Sequence, residues 1–113
     1  MENDTPEQMQ KLINSYARFT DSYPKTLLIQ TTKGNSKHCT VTLTIEFQSG
    51  APDVDIIFSE VKKMHVEQIQ NFGIYELEFK KEGEYYLFDF VGTASDWGDL
   101  WFLAKGIEVV EKR

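Results

Sequence analysis

Apolar and polar residues alternate along most of this chain, and the alternation predicts β-strands. In Cys39–Phe47 the odd positions are apolar and the even ones polar, three of them threonine, as in a half-buried antiparallel strand. The residues 74–80 and 85–91 alternate in the same way around the turn residues 81–84, which predicts a hairpin. We expect about six or seven strands, drawn from the runs 25–32, 39–47, 54–61, 62–70, 74–80, 85–91, 100–104 and 107–110.

One segment has helical rather than alternating periodicity, and it lies near the N-terminus. Its apolar residues recur every three or four positions: Met9, Leu12, Ile13, Tyr16 and Phe19. Thr5 is a good N-cap and Pro6 suits the first helical position. The pattern predicts an amphipathic helix over about residues 5–19.

These elements predict a single domain over residues 1–113, with the helix at about 5–19 and a β-rich part at about 25–111. A chain of 113 residues is large enough for one hydrophobic core. Short hairpin connections and a single helix favour antiparallel pairing, because parallel pairs need long crossovers. The predicted class is α+β, mostly β: one N-terminal helix followed by mainly antiparallel strands in a curved sheet or open sandwich. Gly106, between the last two runs, indicates a bulge or bend.

The net charge of the chain excludes some classes of binding partner and favours others. The net charge is −6 and the pI is near 4.8. Nucleic acid and anionic membranes are poor partners for such a chain, because both are bound through clustered Lys and Arg. A basic protein is electrostatically suitable. The lone Cys39 and a start without a signal-peptide pattern predict the cytoplasm.

Catalytic and cofactor signatures are not recognisable in the sequence, and we expect no cofactor, no metal site and no catalytic residue. His38, His65 and Cys39 lack ligand or nucleophile spacing, and we interpret Cys39 as a small core residue. The seven glycines are dispersed singly, so no phosphate-binding loop is predicted.

Two pairs of carboxylates each share one face of a predicted strand. They are Asp53 with Asp55, and Glu76 with Glu78. Either pair has oxygen ligands for a hard cation, but a solvated outer face is the simpler interpretation.

The segment 96–102 concentrates aromatic and acidic residues. It holds both tryptophans and two carboxylates, which makes Asp96, Trp97, Asp99 and Trp101 the candidate partner-binding residues. Tryptophan is enriched at binding hot spots, and the carboxylates could meet Lys or Arg of a partner. The structural alternative is that Trp101 belongs to the core and that Trp97 caps one end of the sheet.

The order of elements resembles small bacterial β-rich immunity proteins of polymorphic toxin systems. The resemblance covers roughly residues 19–110 and depends on Phe19-Thr20-Asp21-Ser22, on the phrase from Val54 to Val61, and on the phrase from Trp101 to Val109. Proteins of that type often have His where this chain has Thr20. The resemblance implies a non-enzymatic protein that binds and blocks a cognate toxin.

Three hypotheses of function follow. The first is a non-enzymatic acidic binding protein, of the immunity type, that inhibits a basic toxin or enzyme. The second is a small-molecule-binding or enzymatic domain with an aromatic-lined pocket in a curved sheet, for which Tyr16, Tyr75 and Tyr86 are candidates. The third is a homo-oligomer, for example a homodimer that pairs through an edge strand at residues 107–110.

Overall fold

In the part of the chain that the structure describes, one α-helix is followed by a single antiparallel sheet. The computed structural model describes residues 3–31, 39–67, 69, 72–93 and 99–112. Its elements are helix α1 (Pro6–Ser15), a short helical turn (Ala17–Phe19), and strands β1 (Ser22–Thr31), β2 (Cys39–Phe47), β3 (Val54–Val61), β4 (Lys63–Val66), β5 (Ile74–Glu82), β6 (Tyr85–Gly92), β7 (Leu100–Ala104) and β8 (Gly106–Glu111). The predicted α+β, mostly β class is therefore confirmed.

The described part of the chain has eight strands, slightly more than the six or seven expected, and single residues separate two pairs of them. Lys62 separates β3 from β4, and Lys105 separates β7 from β8. Strand β8 pairs with β3, and β4 pairs with β7. The segments 54–66 and 100–111 therefore form one two-stranded ribbon, which bends at Lys62 and Lys105. The backbone N–H of Lys62 donates to Leu103 at 2.8 Å and that of Lys105 donates to Ser59 at 3.0 Å, which holds the bend. The bend predicted near Gly106 is thus present.

The sheet has the strand order β4-β7-β6-β5-β1-β2-β3-β8 and divides into two halves. Among the described residues, β1 pairs with β5 only through Ser22 and Ile74. Beyond that pair, β1 continues along β2 and β5 continues along β6. The halves face each other across the core, where the rings of Phe58 on β3 and Phe102 on β7 stack at 4.5 Å.

Phenylalanine fills the space between the two halves. The ring of Phe58 also lies 5.4 Å from that of Phe88 and 6.2 Å from that of Phe90, both edge-on, and all four rings are fully buried. Burial of one such side chain contributes roughly 1.5–3 kcal/mol. The inward-facing positions are those of the alternating pattern, which is why the strand bounds were predictable.

Helix α1 begins where the sequence predicts but ends earlier. The Thr5 hydroxyl accepts from the N–H of Gln8 at 3.2 Å, and Met9 and Ile13 are fully buried. The helix ends at Ser15 rather than Phe19, because the chain reverses into a left-handed turn after Tyr16. Phe19 is buried, as its place in the periodicity requires, but it reaches the core from the turn. In the described part of the chain, no helix has the length and apolarity to cross a bilayer.

Candidate functional site

The predicted aromatic and acidic cluster is only partly described. Asp96 and Trp97 lie outside the described residues. Asp99 is half-buried, and its carbonyl accepts the N–H of Glu67 at 2.8 Å. Trp101 is half-buried on β7 between the buried Leu100 and Phe102, so it lies on the outer face of the sheet rather than in the core.

On the outer face of the sheet, Trp101 belongs to a row of paired residues that crosses four neighbouring strands. Trp101 pairs with Asp89 on β6 and with His65 on β4, and Asp89 pairs with Glu78 on β5. The rings of His65 and Trp101 stack at 6.0 Å with an interplanar angle of 16°. We name the residues Glu76, Glu78, Asp89, Trp101 and His65 the acidic face.

Three carboxylates of the acidic face lie close together. Burial raises the pKa of Glu78. A hydrogen bond that the protonated Glu78 donates to Glu76 raises it further, as do the negative charges of Glu76 and Asp89. Arg18 acts in the opposite direction and forms an ion pair with Glu76 at 3.2 Å. Burial is the largest cause of the raised pKa and the neighbouring carboxylates add to it, so a cation brought to this place would be favoured.

Replacement of Glu78 by Gln should stabilise the protein at neutral pH. The pKa of Glu78 is raised above its ordinary value of 4.5, so the folded state holds this proton at a pH where the unfolded state has lost it. The stability that this bound proton contributes is fully present below the ordinary pKa of 4.5. It is lost as the pH rises through the raised pKa of the folded state. Glu78→Gln removes this loss, and its advantage over the wild type should shrink near about pH 4.

Urea unfolding at neutral pH and at about pH 4 measures the effect of Glu78→Gln. The matched control is Glu84→Gln, which removes a carboxylate from the exposed turn between β5 and β6. A gain in the free energy of unfolding that is equal for both variants would contradict the local repulsion and indicate only the reduced net charge.

A concave surface lies where α1, the following turn, β2 and β8 end. It is a groove of about 630 Å³, and its lining includes Tyr16, Asp21, Phe47, Ser49 and Glu111. Its size is within the range of small-molecule sites, roughly 300–1,000 Å³. We name it the groove.

The turn that forms one wall of the groove has an uncommon backbone. Ala17, Arg18 and Phe19 have φ angles of 52°, 55° and 61°, and Asp21 has one of 57°. A left-handed residue other than glycine costs on the order of 1–2 kcal/mol, and such residues gather at functional sites. The hydroxyl of the buried Ser22 donates to the carbonyl of Phe19 at 2.5 Å, and this bond holds the turn.

Three aromatic rings support the floor of the groove. The ring of Phe19 lies 5.5 Å from that of Tyr16 and 6.1 Å from that of Phe47, and the planes are within 16° of parallel. Burial raises the pKa of Tyr16. The negative charge of Glu111, and the hydrogen bond that the Tyr16 hydroxyl donates to it, raise this pKa further. The Tyr16 phenol is therefore fixed against the end of β8.

The three tyrosines proposed for a pocket do not converge. Tyr16 lines the groove, Tyr75 is exposed on β5, and Tyr86 is buried beside Phe79 and Phe88 in the core. The groove thus lies at one end of the sheet and contains one of the three candidates.

The other candidate side chains have structural contacts. Asp53 forms an ion pair with Lys25 at 3.1 Å, and Asp55 accepts from the hydroxyl of Thr44 at 2.6 Å. Cys39 packs against the core, and His38 lies outside the described residues. Within the described ranges, no group of three or more His, Cys, Asp or Glu residues is arranged to hold a metal ion.

The edge strand predicted for self-pairing is partly occupied. Asn3 bridges Ile107 of β8: its N–H donates to the Ile107 carbonyl at 2.7 Å, and the Ile107 N–H donates back at 2.9 Å. A Cβ on Gly106 would lie 2.6 Å from the Asn3 carbonyl oxygen, so this approach requires glycine. Symmetric pairing over 107–110 would have to displace Asn3.

Sequence reasoning missed Asp89 and the groove. Alternation placed Glu76 and Glu78 on one strand face, but no local signal joined them to Asp89 or Trp101. The groove unites the end of the helix with Phe47 and Glu111, which are far apart in the sequence. Two sequence signals lay near the groove: Tyr16, a candidate for an aromatic-lined pocket, and the Phe19-Thr20-Asp21-Ser22 phrase, which was used only for the resemblance.

Comparisons with models of known protein families, with curated proteins and with solved structures found no match.

Proposed function

We propose that this protein is a non-enzymatic acidic binding protein of the immunity type, which inhibits a basic toxin or enzyme through the acidic face. The observation that carries the proposal is the register of Glu78, Asp89 and Trp101. It sets two carboxylates beside an aromatic ring on one outer surface. Lys and Arg of a basic partner are suited to such a surface, and tryptophan is a frequent hot-spot residue.

The electrostatics of the acidic face support this partner class. The raised pKa of Glu78 reflects in part the unrelieved repulsion from Glu76 and Asp89. A Lys or Arg side chain brought between them would relieve this repulsion and form charge-assisted hydrogen bonds. The net charge of −6 would in addition steer a basic protein towards the complex. We place this binding in the cytoplasm of a bacterium, in accord with the lone Cys39 and the resemblance.

Tagged protein recovered from its own cells at low and at high salt tests the proposal, with mass spectrometry of what co-elutes. We expect a stoichiometric basic protein that is lost at high salt. The double variant Glu78→Gln/Asp89→Asn should bind this partner at least about a hundredfold more weakly, since it alters two charge-assisted hydrogen bonds that each contribute about 1.5–3 kcal/mol.

The control for this experiment is the double variant Glu46→Gln/Glu84→Gln. Both residues are exposed and lie away from the acidic face, and the net charge changes by the same amount. Equal loss of the partner in both double variants would show that net charge alone, and not the acidic face, causes the weaker binding. Recovery of the bait alone at either salt would reject the basic partner, and recovery of a second copy of the bait would support the homo-oligomer instead.

A further inference from the structure

Strand β1 has one open edge over most of its length. On one side it pairs with β2 from Ser22 to Thr31. On the other side, among the described residues, it pairs with β5 only through Ser22 and Ile74. Over residues 26–31 the backbone groups that point away from β2 therefore have no strand beside them in the described part of the chain. An edge of this kind is a template for pairing with a further strand.

Apolar side chains are exposed along this open edge. Leu28 is 53% exposed and Ile29 is 46% exposed. Ile29 pairs with Val41 of β2, which is fully buried, so Ile29 lies on the core-facing side of the sheet. It is exposed there because none of the described strands lies next to it. A strand added at this edge would cover Leu28 on the outer face and Ile29 on the inner one.

The other free edges of the described sheet have features that oppose self-pairing. Strand β4 is four residues long and begins with Lys63, and Asn3 bridges the edge of β8. The free edge of β5 has glutamate or lysine at most positions of 76–82. Short length, charge and coverage are the usual protections of an edge strand. Residues 26–31 of β1 have none of these, since they contain no charge and no proline.

The sequence of the open edge is self-complementary about Leu28. Directly opposed residues of an antiparallel pair share a face, so a two-fold axis between identical strands passes through one residue, which faces its own copy. With Leu28 on the axis, Leu27 faces Ile29 of the second copy. Thr26 then faces Gln30, so apolar residues meet apolar ones and polar residues meet polar ones. An axis at either neighbouring position would place Leu28 opposite Thr26 or Gln30.

We propose that the open edge of β1 pairs with the same edge of a second copy of this chain, antiparallel and centred on Leu28, so that the sheet continues from one copy into the other. Self-complementarity favours a second copy over an extended segment of another protein. The uncharged edge also lets two molecules of net charge −6 meet without like charges opposed across residues 26–30.

The dimer should be weak, because a ladder over residues 26–30 is a small interface, below roughly 1,200 Å² of buried surface. We expect a dissociation constant of roughly 10–500 μM. The inference does not depend on the proposed function, since the acidic face is formed by residues of β4 to β7. The two are also tested separately, because the dimer is measured on the purified protein with no partner present.

Sedimentation equilibrium of the purified protein, from about 10 μM to about 1 mM, measures the dimer. Leu28→Lys sets two ammonium groups opposite each other at the axis and should raise the dissociation constant at least about tenfold. Leu28 is exposed, so the variant should keep its fold, which circular dichroism checks. The matched control is Val110→Lys, which adds the same charge at a valine of β8 that is 43% exposed. It should leave the dissociation constant within about twofold.

Disulfide formation tests the register. In Leu28→Cys the new thiol faces its own copy, at a Cα separation of about 4.5–5.5 Å, which a disulfide can span. Mild oxidation with diamide should therefore give a covalent dimer. Gln30→Cys is the control, because it changes the same face of the same strand but lies about 14 Å along the ladder from its own copy. Both variants retain Cys39, so any cross-link through Cys39 would be common to both.

Four results would overturn the inference. A monomer at about 1 mM would reject the second copy and assign the edge to an extended segment of another protein. Equal changes in Leu28→Lys and Val110→Lys would attribute the effect to net charge. Equal cross-linking of the two thiol variants would reject an axis at Leu28. Species larger than a dimer would reject closed pairing, because each copy has one such edge of β1.

Discussion

Phe58→Ala should lower the free energy of unfolding by about 3–5 kcal/mol. The Phe58 ring is fully buried and stacks on Phe102 at 4.5 Å, with Phe88 and Phe90 edge-on. Its removal leaves a cavity between the two halves of the sheet, which the alanine cannot fill. Because small domains are stable by only about 5–15 kcal/mol, the variant should approach the limit of folding.

Denaturant unfolding followed by tryptophan fluorescence measures the effect of Phe58→Ala, and circular dichroism identifies a variant that does not fold. Tyr75→Ala is the matched control, because Tyr75 is an aromatic strand residue with 54% of its surface exposed. It should change the free energy of unfolding by no more than about 0.5 kcal/mol. Similar losses in the two variants would contradict the assignment of Phe58 to the centre of the core.

Ser22→Ala should cost about 1–3 kcal/mol, a large effect for the loss of one oxygen atom. The Ser22 side chain is fully buried, and its hydroxyl donates to the Phe19 carbonyl at 2.5 Å. Alanine removes the donor and leaves a buried carbonyl without this bond, at the left-handed turn where strain already favours rearrangement. Ser22 is also the residue through which β1 pairs with β5.

Thermal and urea unfolding measure how far Ser22→Ala lowers the free energy of unfolding, and Ser15→Ala is the control. The Ser15 hydroxyl also donates to a backbone carbonyl, that of Leu12 at 2.6 Å, but this bond is exposed and water can replace it. The Ser15 variant should differ from the wild type by a few tenths of a kcal/mol at most. Equal losses would mean that burial of the Ser22 bond contributes nothing. If the turn also rearranges, the amide resonances around Asp21 and Phe47 should shift in Ser22→Ala alone.

The candidate site was predictable only in part, because its residues come from separate strands. Trp101 and Asp99 were identified from the sequence as an acidic and aromatic cluster, and Glu76 with Glu78 as one strand face. Their relation depends on β6, since Asp89 lies between Glu78 and Trp101 in the register. Strand order and register depend on contacts between distant residues, which one sequence does not specify.

The sequence by itself determined the local elements of this protein. Alternation with a period of two is a property of neighbouring residues, and it set the bounds of strands such as Cys39–Phe47 and Val54–Val61. Thr5 and Pro6 set the start of the helix through local capping. Net charge and the dispersed glycines likewise required no three-dimensional information.

The tertiary structure alone decided where those elements meet. The helix ends at Ser15, and the three left-handed residues that follow Tyr16 place Phe19 in the core beside Phe47. The same turn forms the wall of the groove, and the pairing of β5, β6 and β7 forms the acidic face. Both surfaces arise from packing between residues far apart in the chain, where burial of apolar area overrides local preference.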